Sequence, residues 1–441
     1  MSRSMGGGII QKPGRLSAPP LMTAAPTPTP FVRLAILLFL QPLSAALWIL
    51  PFGNILSSRG LGSLVPVIFA LPPLATLFAP LLAGTLADRK IPALQLLRYL
   101  LGGSSVVMAL AAVAIEHAQP GWIIALMLAH SLLFSATGPL ATSVVLASSA
   151  HPARYFPFFR IGSTVAWIVA GNLISFGMAS DFSPRALLVA SACEAVLVLF
   201  TFSLPLTPLP PASRLQGNWG ERLGLHTLGQ LKHQRVVVLL GIVLMANLLG
   251  AAFFPYAPQL LSSTGINRPS AWMTTAQWSE ILFLGLLPLL RVHPHRLMLI
   301  GLTCSGLRCL CFIAYAAGAG WPYALLGLAC HGPVTAFLFV TMQIFMETNL
   351  PAGVRNRAQA MVSLCGGAGS LLGQIVTGGL AQATLLPGPA DAHSWQLFWG
   401  ILALLHAVAV TVFALCLGSG SVVVSALSRP RRPPTVRGMD S

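Results

Sequence analysis

Long apolar runs, each of about 20 residues, recur along this chain and decide what it can fold into. An α-helix of about 20 apolar residues spans the hydrocarbon core of a bilayer. Of the 441 residues, 55% are hydrophobic and only 8% are charged, whereas soluble domains carry about 25% charged residues. The pattern excludes a water-soluble enzyme and predicts an all-α membrane protein with many spans.

The sequence predicts twelve transmembrane helices. They cover residues 31–54, 64–87, 91–115, 121–148, 156–179, 184–205, 235–261, 271–290, 297–317, 321–346, 358–383 and 394–417. One break is long and divides the spans six and six. The predicted domains are a disordered cytoplasmic tail (1–30), an N-terminal six-helix bundle (31–205), a cytoplasmic linker (206–234), a C-terminal six-helix bundle (235–417) and a cytoplasmic tail (418–441).

The distribution of basic residues predicts the orientation of the chain. If both termini lie on one side of the membrane, that side holds 19 of the 25 Lys and Arg residues, and the other side holds 3. Cytoplasmic segments of membrane proteins carry the excess of Lys and Arg. We therefore expect a multi-pass protein of the bacterial inner membrane with both termini in the cytoplasm. Scattered charges of this kind do not form the contiguous basic face that nucleic-acid binding needs.

The layout of six plus six spans around a cytoplasmic linker resembles the major facilitator superfamily. Between spans 2 and 3, Gly84-Thr-Leu-Ala-Asp88-Arg89-Lys90 is similar to the superfamily's G-x-x-x-D-R/K loop. The resemblance implies transport by alternating access, with Asp88 and Arg89 as gating residues. Asp88 can cap a helix end and pair with an arginine across the two halves.

Several further stretches, in order along residues 31–417, resemble the nucleoside:proton symporter family of that superfamily. They are Phe39-Leu40-Gln41 and Trp48 in span 1, Phe156 to Trp167 in span 5, Met273 to Glu280 in span 8, Leu307-Arg308 in span 9, His331-Gly332 and Val354 to Gln359 in and after span 10, and Trp395-Gln396 in span 12. The resemblance implies proton-coupled uptake of nucleosides, with Gln277 and Glu280 contacting the substrate. The chain departs from the family at Ala336, where the family has an acidic residue.

Among the ionisable residues inside the predicted spans, Glu280 has the position best suited to a role in transport. It lies about 10 residues into span 8, which is about 15 Å deep at 1.5 Å per residue. Acidic groups at such depth often carry protons in transporters, so Glu280 is the predicted proton-coupling residue. Gln277, three residues earlier on the same face, offers a donor and an acceptor to a solute. A structural carboxylate paired with a neighbouring helix is the alternative for Glu280.

Span 5 carries a polar stripe, because Arg160, Thr164 and Trp167 lie at i, i+4 and i+7. A guanidinium, a hydroxyl and an aromatic face suit a sugar and a flat base. The predicted substrate-binding residues are Arg160, Thr164, Trp167, Gln277, Glu280 and His331. An interfacial role for Arg160 and a packing role for His331 stay open.

The remaining intramembrane charges are interpreted as structural. Glu194 and Arg308 are expected in pairs, Arg308 with Glu280 as one candidate partner, and Arg98 is expected to reach the interface. All seven cysteines lie in apolar runs without metal-ligand spacing. We expect no catalytic set, no metal and no cofactor.

Proton-coupled uptake of a small polar solute, with nucleosides as the leading candidate, is the predicted function. Two alternatives stay open: a facilitator or exporter of another small organic solute (sugar, aromatic acid or drug), and a non-transporting membrane sensor. The expected partners are the solute, protons and the lipid bilayer, without nucleic acid. The chain is expected to be a monomer.

Overall fold

The computed structural model describes residues 30–89, 91–149, 152–205, 234–349, 352–386 and 390–418. The predicted tails and linker lie outside these ranges except for Pro30, Gln234 and Gly418. Lys90 also lies outside them, and the side chains of Asp88 and Arg89 are outside the description.

The described residues are helical, joined by short turns. In chain order the α-helices are α1 (Phe31–Ser58), α2 (Val65–Thr76), α3 (Ala79–Arg89), α4 (Ala93–Glu116), α5 (Pro120–Phe134), α6 (Thr137–Ser148), α7 (Pro152–Asn172), α8 (Arg185–Thr201), α9 (Gln234–Gly250), α10 (Phe253–Ser263), α11 (Pro269–Leu286), α12 (Pro294–Ala316), α13 (Trp321–Ala329), α14 (His331–Pro333), α15 (Thr341–Asn349), α16 (Ala352–Thr384) and α17 (Ala392–Gly418). Segments of π-helix follow α7 (Leu173–Gly177) and join α14 to α15 (Val334–Val340), and 3-10 turns cover Gly62–Leu64 and Leu287–Leu289. We call α1–α8 the N-terminal half and α9–α17 the C-terminal half.

Ten helical stretches of 20 to 29 residues within the described ranges are long and apolar enough to cross a membrane. Predicted spans 6 and 8 correspond to α8 and α11. These two helices are not among the ten stretches. Helix α8 has only 17 residues, and α11 is 18 residues long with Gln277 and Glu280 in its sequence. The ten stretches confirm the coarser prediction, which is an all-helical, multi-pass membrane protein.

Several predicted spans are interrupted near their middle, and proline explains where. Proline lacks a backbone N–H and clashes with the preceding turn, so it disfavours a helix interior but fits a first turn. Helix α2 ends at Thr76 after Pro72 and Pro73, and α10 begins at Phe253 just before Pro255. The gaps expose backbone carbonyls at membrane depth, and these must find partners inside the protein.

One of the contacts between the two halves lies at the end of the molecule where α1 finishes, around residues 54–63, which we call the distal end. There the Asn54 side chain donates from Nδ2 to the Pro258 carbonyl (3.3 Å), and the Ser57 hydroxyl donates to Gln259 Oε1 (2.8 Å). Gly53 allows this contact, since a Cβ there would lie 2.6 Å from the Pro255 carbonyl oxygen. The distal end therefore holds α1 against α10.

Candidate functional site

Glu280 lies in α11 at the interface between the halves, and three predicted site residues surround its carboxylate. The Thr164 hydroxyl on α7 donates to Oε1 at 3.2 Å. Arg160 Nη2 is 3.8 Å from the same oxygen, and His331 Nε2 is 3.9 Å from Oε2. The Glu280 side chain is 9% exposed, whereas that of Arg160 is 54% exposed. The fold thus gathers four of the six predicted binding residues from three helices; we call them the Glu280 cluster.

Helices α7 and α11 approach closely because Gly171 lies at their crossing. A Cβ at Gly171 would lie 2.5 Å from the Ser270 carbonyl oxygen and 2.5 Å from Thr274 Cγ2. Small residues let helix backbones come together in membranes. Thr164 is seven residues before Gly171, so both lie on the face of α7 that meets α11. The crossing places the Thr164 hydroxyl against the Glu280 carboxylate.

Trp167 and Gln277, the other two predicted residues, lie beside the cluster. The Trp167 ring packs against Phe254 of α10, with ring centroids 5.2 Å apart. Gln277 is buried, and its Oε1 has no hydrogen-bond partner among the described residues. Buried polar atoms are almost always hydrogen-bonded, so this oxygen is available to a ligand.

His331 connects the Glu280 cluster to Arg308. Its ring stacks on Phe253, with centroids 5.0 Å apart and an interplanar angle of 12°. The Arg308 guanidinium lies over the same Phe253 ring, with Cζ 4.2 Å from the centroid. Within the described chain, the ion-pair neighbours of Glu280 are Arg160 and His331, so Arg308 contacts an aromatic ring rather than this carboxylate.

A cavity of ≈ 290 Å³ adjoins the cluster at His331. Ligand pockets measure about 300–1,000 Å³, so this volume suits one small solute. Its wall combines aromatic and polar side chains from both halves: Trp48, Phe69, Asn247, Phe253, Phe254, Arg308, His331, Phe339, Ser370 and Gln374. Of the six predicted binding residues, His331 is the one in this wall.

Gln374 is a cavity residue that the sequence analysis did not identify. Its Nε2 donates to the Ala251 carbonyl (2.9 Å), which the break between α9 and α10 exposes. Its Oε1 has no partner among the described residues. The sequence contains a signal that could have identified Gln374: like Gln277, it is an amide residue inside an apolar span. The nearby Asn247 accepts a hydrogen bond from Ser370 at Oδ1 (3.4 Å).

The other intramembrane charges of the N-terminal half have partners away from the cavity. Glu194 accepts a hydrogen bond from the Ser104 hydroxyl, and its Oε1 is 3.1 Å from His130 Nε2. Arg98 donates from Nη2 to the Thr201 carbonyl (2.8 Å), and its guanidinium lies 4.3 Å from the Phe202 ring centroid. Glu194 therefore has a partner on a neighbouring helix, as the sequence predicts, whereas the expectation that Arg98 reaches the membrane interface stays a prediction.

Membrane-length helices, a buried carboxylate held across two halves and a cavity sized for a small solute are features of a secondary transporter. Residues 30–419 match the model of the nucleoside H+ symporter family. The chain belongs to this family, whose members are transporters and not enzymes.

Curated relatives are similar along most of their length. YegT of Escherichia coli (strain K12) is 28% identical over 399 residues, covering 87% of this chain and 92% of YegT. The nucleoside permease NupG of the same organism is 26% identical over 397 residues, covering 84% of this chain and 92% of NupG.

Solved structures show the same fold. A crystal structure of the nucleoside transporter NupG aligns with a TM-score of 0.74 and 23% identity, covering 87% of this chain and 98% of that one. The inward-open xylose transporter XylE from E. coli aligns with a TM-score of 0.63 and 12% identity, covering 87% and 94%. The predicted resemblance to major facilitator transporters and to nucleoside:proton symporters is confirmed, and the exporter and sensor alternatives are not favoured.

Proposed function

We propose that this protein imports nucleosides with protons by alternating access, and that Glu280 carries the coupled proton. The observation that carries the proposal is the position of the Glu280 carboxylate. It is bonded across the halves to Thr164 and lies within 4 Å of Arg160 and His331. A proton binding there changes the contact that joins α7 to α11.

The chemistry of that contact supports coupling. An ionised Glu280 attracts Arg160 and accepts the Thr164 hydrogen bond. A protonated Glu280 loses the attraction to Arg160 and becomes a donor. The protonation state therefore changes the free energy of bringing the halves together, and a ligand or proton shifts a conformational equilibrium only through such a differential interaction.

We propose Arg160, Thr164, Trp167, Gln277, Glu280 and His331 as substrate-binding residues, with the cavity wall completing the site. The rings of Phe253 and Phe254 offer faces for a base, and Gln374 offers an unpartnered acceptor. A mostly apolar pocket with a few convergent polar groups is typical of small-molecule sites.

For the whole chain we propose twelve spans in two six-helix bundles, with both termini and the 206–234 linker in the cytoplasm of a bacterium. The 19 to 3 distribution of basic residues supports this orientation. The distal end then faces outward. Asp88 and Arg89 at the end of α3 are the proposed gating residues on the cytoplasmic side.

Glu280→Gln tests the coupling, because it removes the titratable group and keeps shape and hydrogen bonding. We expect the variant, reconstituted into liposomes, to lose proton-driven accumulation of nucleoside. Exchange of labelled for unlabelled nucleoside should persist, because exchange needs no net proton movement. Glu194→Gln is the matched control, a buried carboxylate away from the cavity, and it should retain accumulation. Proton-driven accumulation by Glu280→Gln would refute the assignment.

A further inference from the structure

Arg308 is a buried cation whose charge has no carboxylate partner within the described residues. The residue is 4% exposed, and Nε and Nη2 have no hydrogen-bond partner there. The glutamates whose side chains the structure describes have other neighbours: Glu280 has Arg160 and His331, Glu194 has His130, and Glu116 has Arg59. Among the side chains that the structure describes, the guanidinium therefore has two unpartnered donors and no carboxylate within ion-pair distance.

The contact with Phe253 compensates only part of this burial. A desolvated cation over an aromatic ring gains some free energy. Taking an ion out of water costs more than this gain, even after the protein relaxes. The remaining cost suggests that a second, negatively charged partner completes the surroundings of Arg308 during the transport cycle.

That partner has room in the cavity, because Arg308 is part of the cavity wall. The cavity and the adjoining Glu280 cluster together contain two guanidinium groups, Arg160 and Arg308, and one carboxylate, Glu280. One positive charge is in excess when Glu280 is ionised, and two are in excess when it is protonated. A neutral solute leaves that excess in place, whereas a monoanion reduces it.

We propose that the preferred solute is a nucleoside whose planar ring carries a negative charge at neutral pH, and that Arg308 binds that charge. This inference rests on the proposed function and specifies its substrate class. A guanidinium presents parallel N–H donors that suit a carboxylate or an ionised ring amide. The rings of Trp48, Phe253 and Phe254 in the same wall supply contact area for a flat base, and Gln374 Oε1 accepts from a ring N–H.

Two matched pairs of solutes test the proposal in liposomes that contain the purified protein. Uridine is compared with orotidine, which adds a ring carboxylate, and inosine with xanthosine, whose ring N–H is ionised at neutral pH. Binding is measured at one fixed pH by competition against a labelled nucleoside. We expect the wild type to prefer the anionic member of each pair. Since a hydrogen bond to a charged group contributes about 1.5–3 kcal/mol, Arg308→Gln should weaken binding of the anions by about tenfold or more.

The same Arg308→Gln variant should weaken the binding of orotidine and xanthosine by a larger factor than the binding of uridine and inosine. Arg308→Lys keeps the positive charge but lacks the parallel N–H donors of the guanidinium. It should therefore keep part of the preference for anions. Arg98→Gln is the matched control, since Arg98 is an intramembrane arginine bonded to Thr201 outside the cavity wall. It should leave the preference unchanged.

The outcomes separate this inference from the proposed function. A wild type that binds the neutral members as well as the anions overturns the inference and leaves nucleoside transport intact. An Arg308→Gln variant that weakens all four solutes equally also overturns it. If the wild type binds none of the four solutes, nucleoside transport itself fails. If Arg308→Gln does not fold, the wild-type preference and Arg308→Lys decide the question.

Discussion

At the scale of single residues, the buried carboxylates differ in what surrounds them. Glu194 is fully buried among α4, α5 and α8, with Ser104 and His130 as partners. The His130 ring also stacks on Phe134, with centroids 5.2 Å apart. Glu280 instead lies at the interface between halves, beside a cavity and an exposed arginine. A buried polar network inside one half specifies a packing arrangement, whereas a carboxylate at the interface between the halves can respond to a proton.

Removing the Glu194 carboxylate should therefore damage stability rather than transport chemistry. Glu194→Ala leaves His130 and Ser104 buried without their shared partner. Breaking a buried pair by deleting one member typically costs about 3–5 kcal/mol. We expect a clear fall in the thermal unfolding temperature of the detergent-solubilised protein. An Ala variant as stable as the wild type would show that this network contributes little.

Much of the Glu280 cluster follows from the sequence by one physical argument. A polar group inside an apolar run is costly, so Arg160, Gln277, Glu280 and His331 were recognisable without a structure. The contacts that these residues make in the folded protein were not recognisable from the sequence. The Thr164–Glu280 hydrogen bond joins residues 116 apart, and the stacking of Arg308 and His331 on Phe253 depends on how three helices pack. Apolar residues such as Phe253 carry no sequence signal that separates a cavity wall from a core.

At the scale of secondary-structure elements, the close approach of the α14 and α11 backbones holds the Glu280 cluster together. Gly332, directly after His331, lies against α11, and a Cβ there would be 2.5 Å from the carbonyl carbon of Ser279. The Ser279 hydroxyl donates to the Ala329 carbonyl at the end of α13. These contacts fix α14 against the turn of α11 that carries Glu280, and so fix the distance between His331 and that carboxylate.

Gly332→Ala should push α14 away from α11, because the obstacle is backbone and cannot rotate aside. Overpacking of this kind typically costs about 1–3 kcal/mol. We expect a lower unfolding temperature and weaker nucleoside binding, since His331 moves with the helix. Gly285→Ala is the matched control on α11, where a Cβ meets nothing within 4 Å. It should be neutral or slightly stabilising, and equal effects of the two variants would contradict this account.

The positions of most helices were predictable from the sequence, but their continuity was not. Apolar runs of spanning length located the helices, because hydrocarbon thickness sets that length. The breaks after Thr76, Phe134 and Gly250 were not predicted, since apolar composition is the same on both sides of each break. Prolines mark the positions of two of these breaks, but a break also needs partners far away in the sequence, such as Gln374 for the Ala251 carbonyl.

At the scale of the whole molecule, the distal end is closed by a helix cap that crosses between the halves. The buried carboxylate of Asp181, in the turn before α8, accepts from the Ser270 backbone N–H (2.8 Å). The Ser175 hydroxyl accepts from the Ala271 N–H (2.9 Å) and donates to Asp181 (3.1 Å). The first N–H groups of a helix lack partners within it, so the N-terminal half satisfies donors at the start of α11.

Alternating access requires this cap to break whenever the distal end opens, and Asp181→Ala should make that opening easier. Losing a side-chain cap costs about 0.5–2 kcal/mol, and about 1 kcal/mol changes the ratio of open to closed forms about fivefold. We expect the variant to populate the form open at the distal end more often. Thr274 is a suitable reporter position, because it is buried at the crossing of α7 and α11.

The experiment places Thr274→Cys in a background without the seven native cysteines and measures its labelling by a membrane-impermeant maleimide added outside the cell. Asp181→Ala should speed labelling, since opening exposes the reporter. Glu116→Ala is the matched control: its carboxylate pairs with Arg59 at 2.8 Å, but both residues belong to the N-terminal half. That variant removes an ion pair without touching the contact between halves, so the labelling rate should not change. If Asp181→Ala and Glu116→Ala give the same labelling rate, the cap between Asp181 and α11 does not control opening at the distal end.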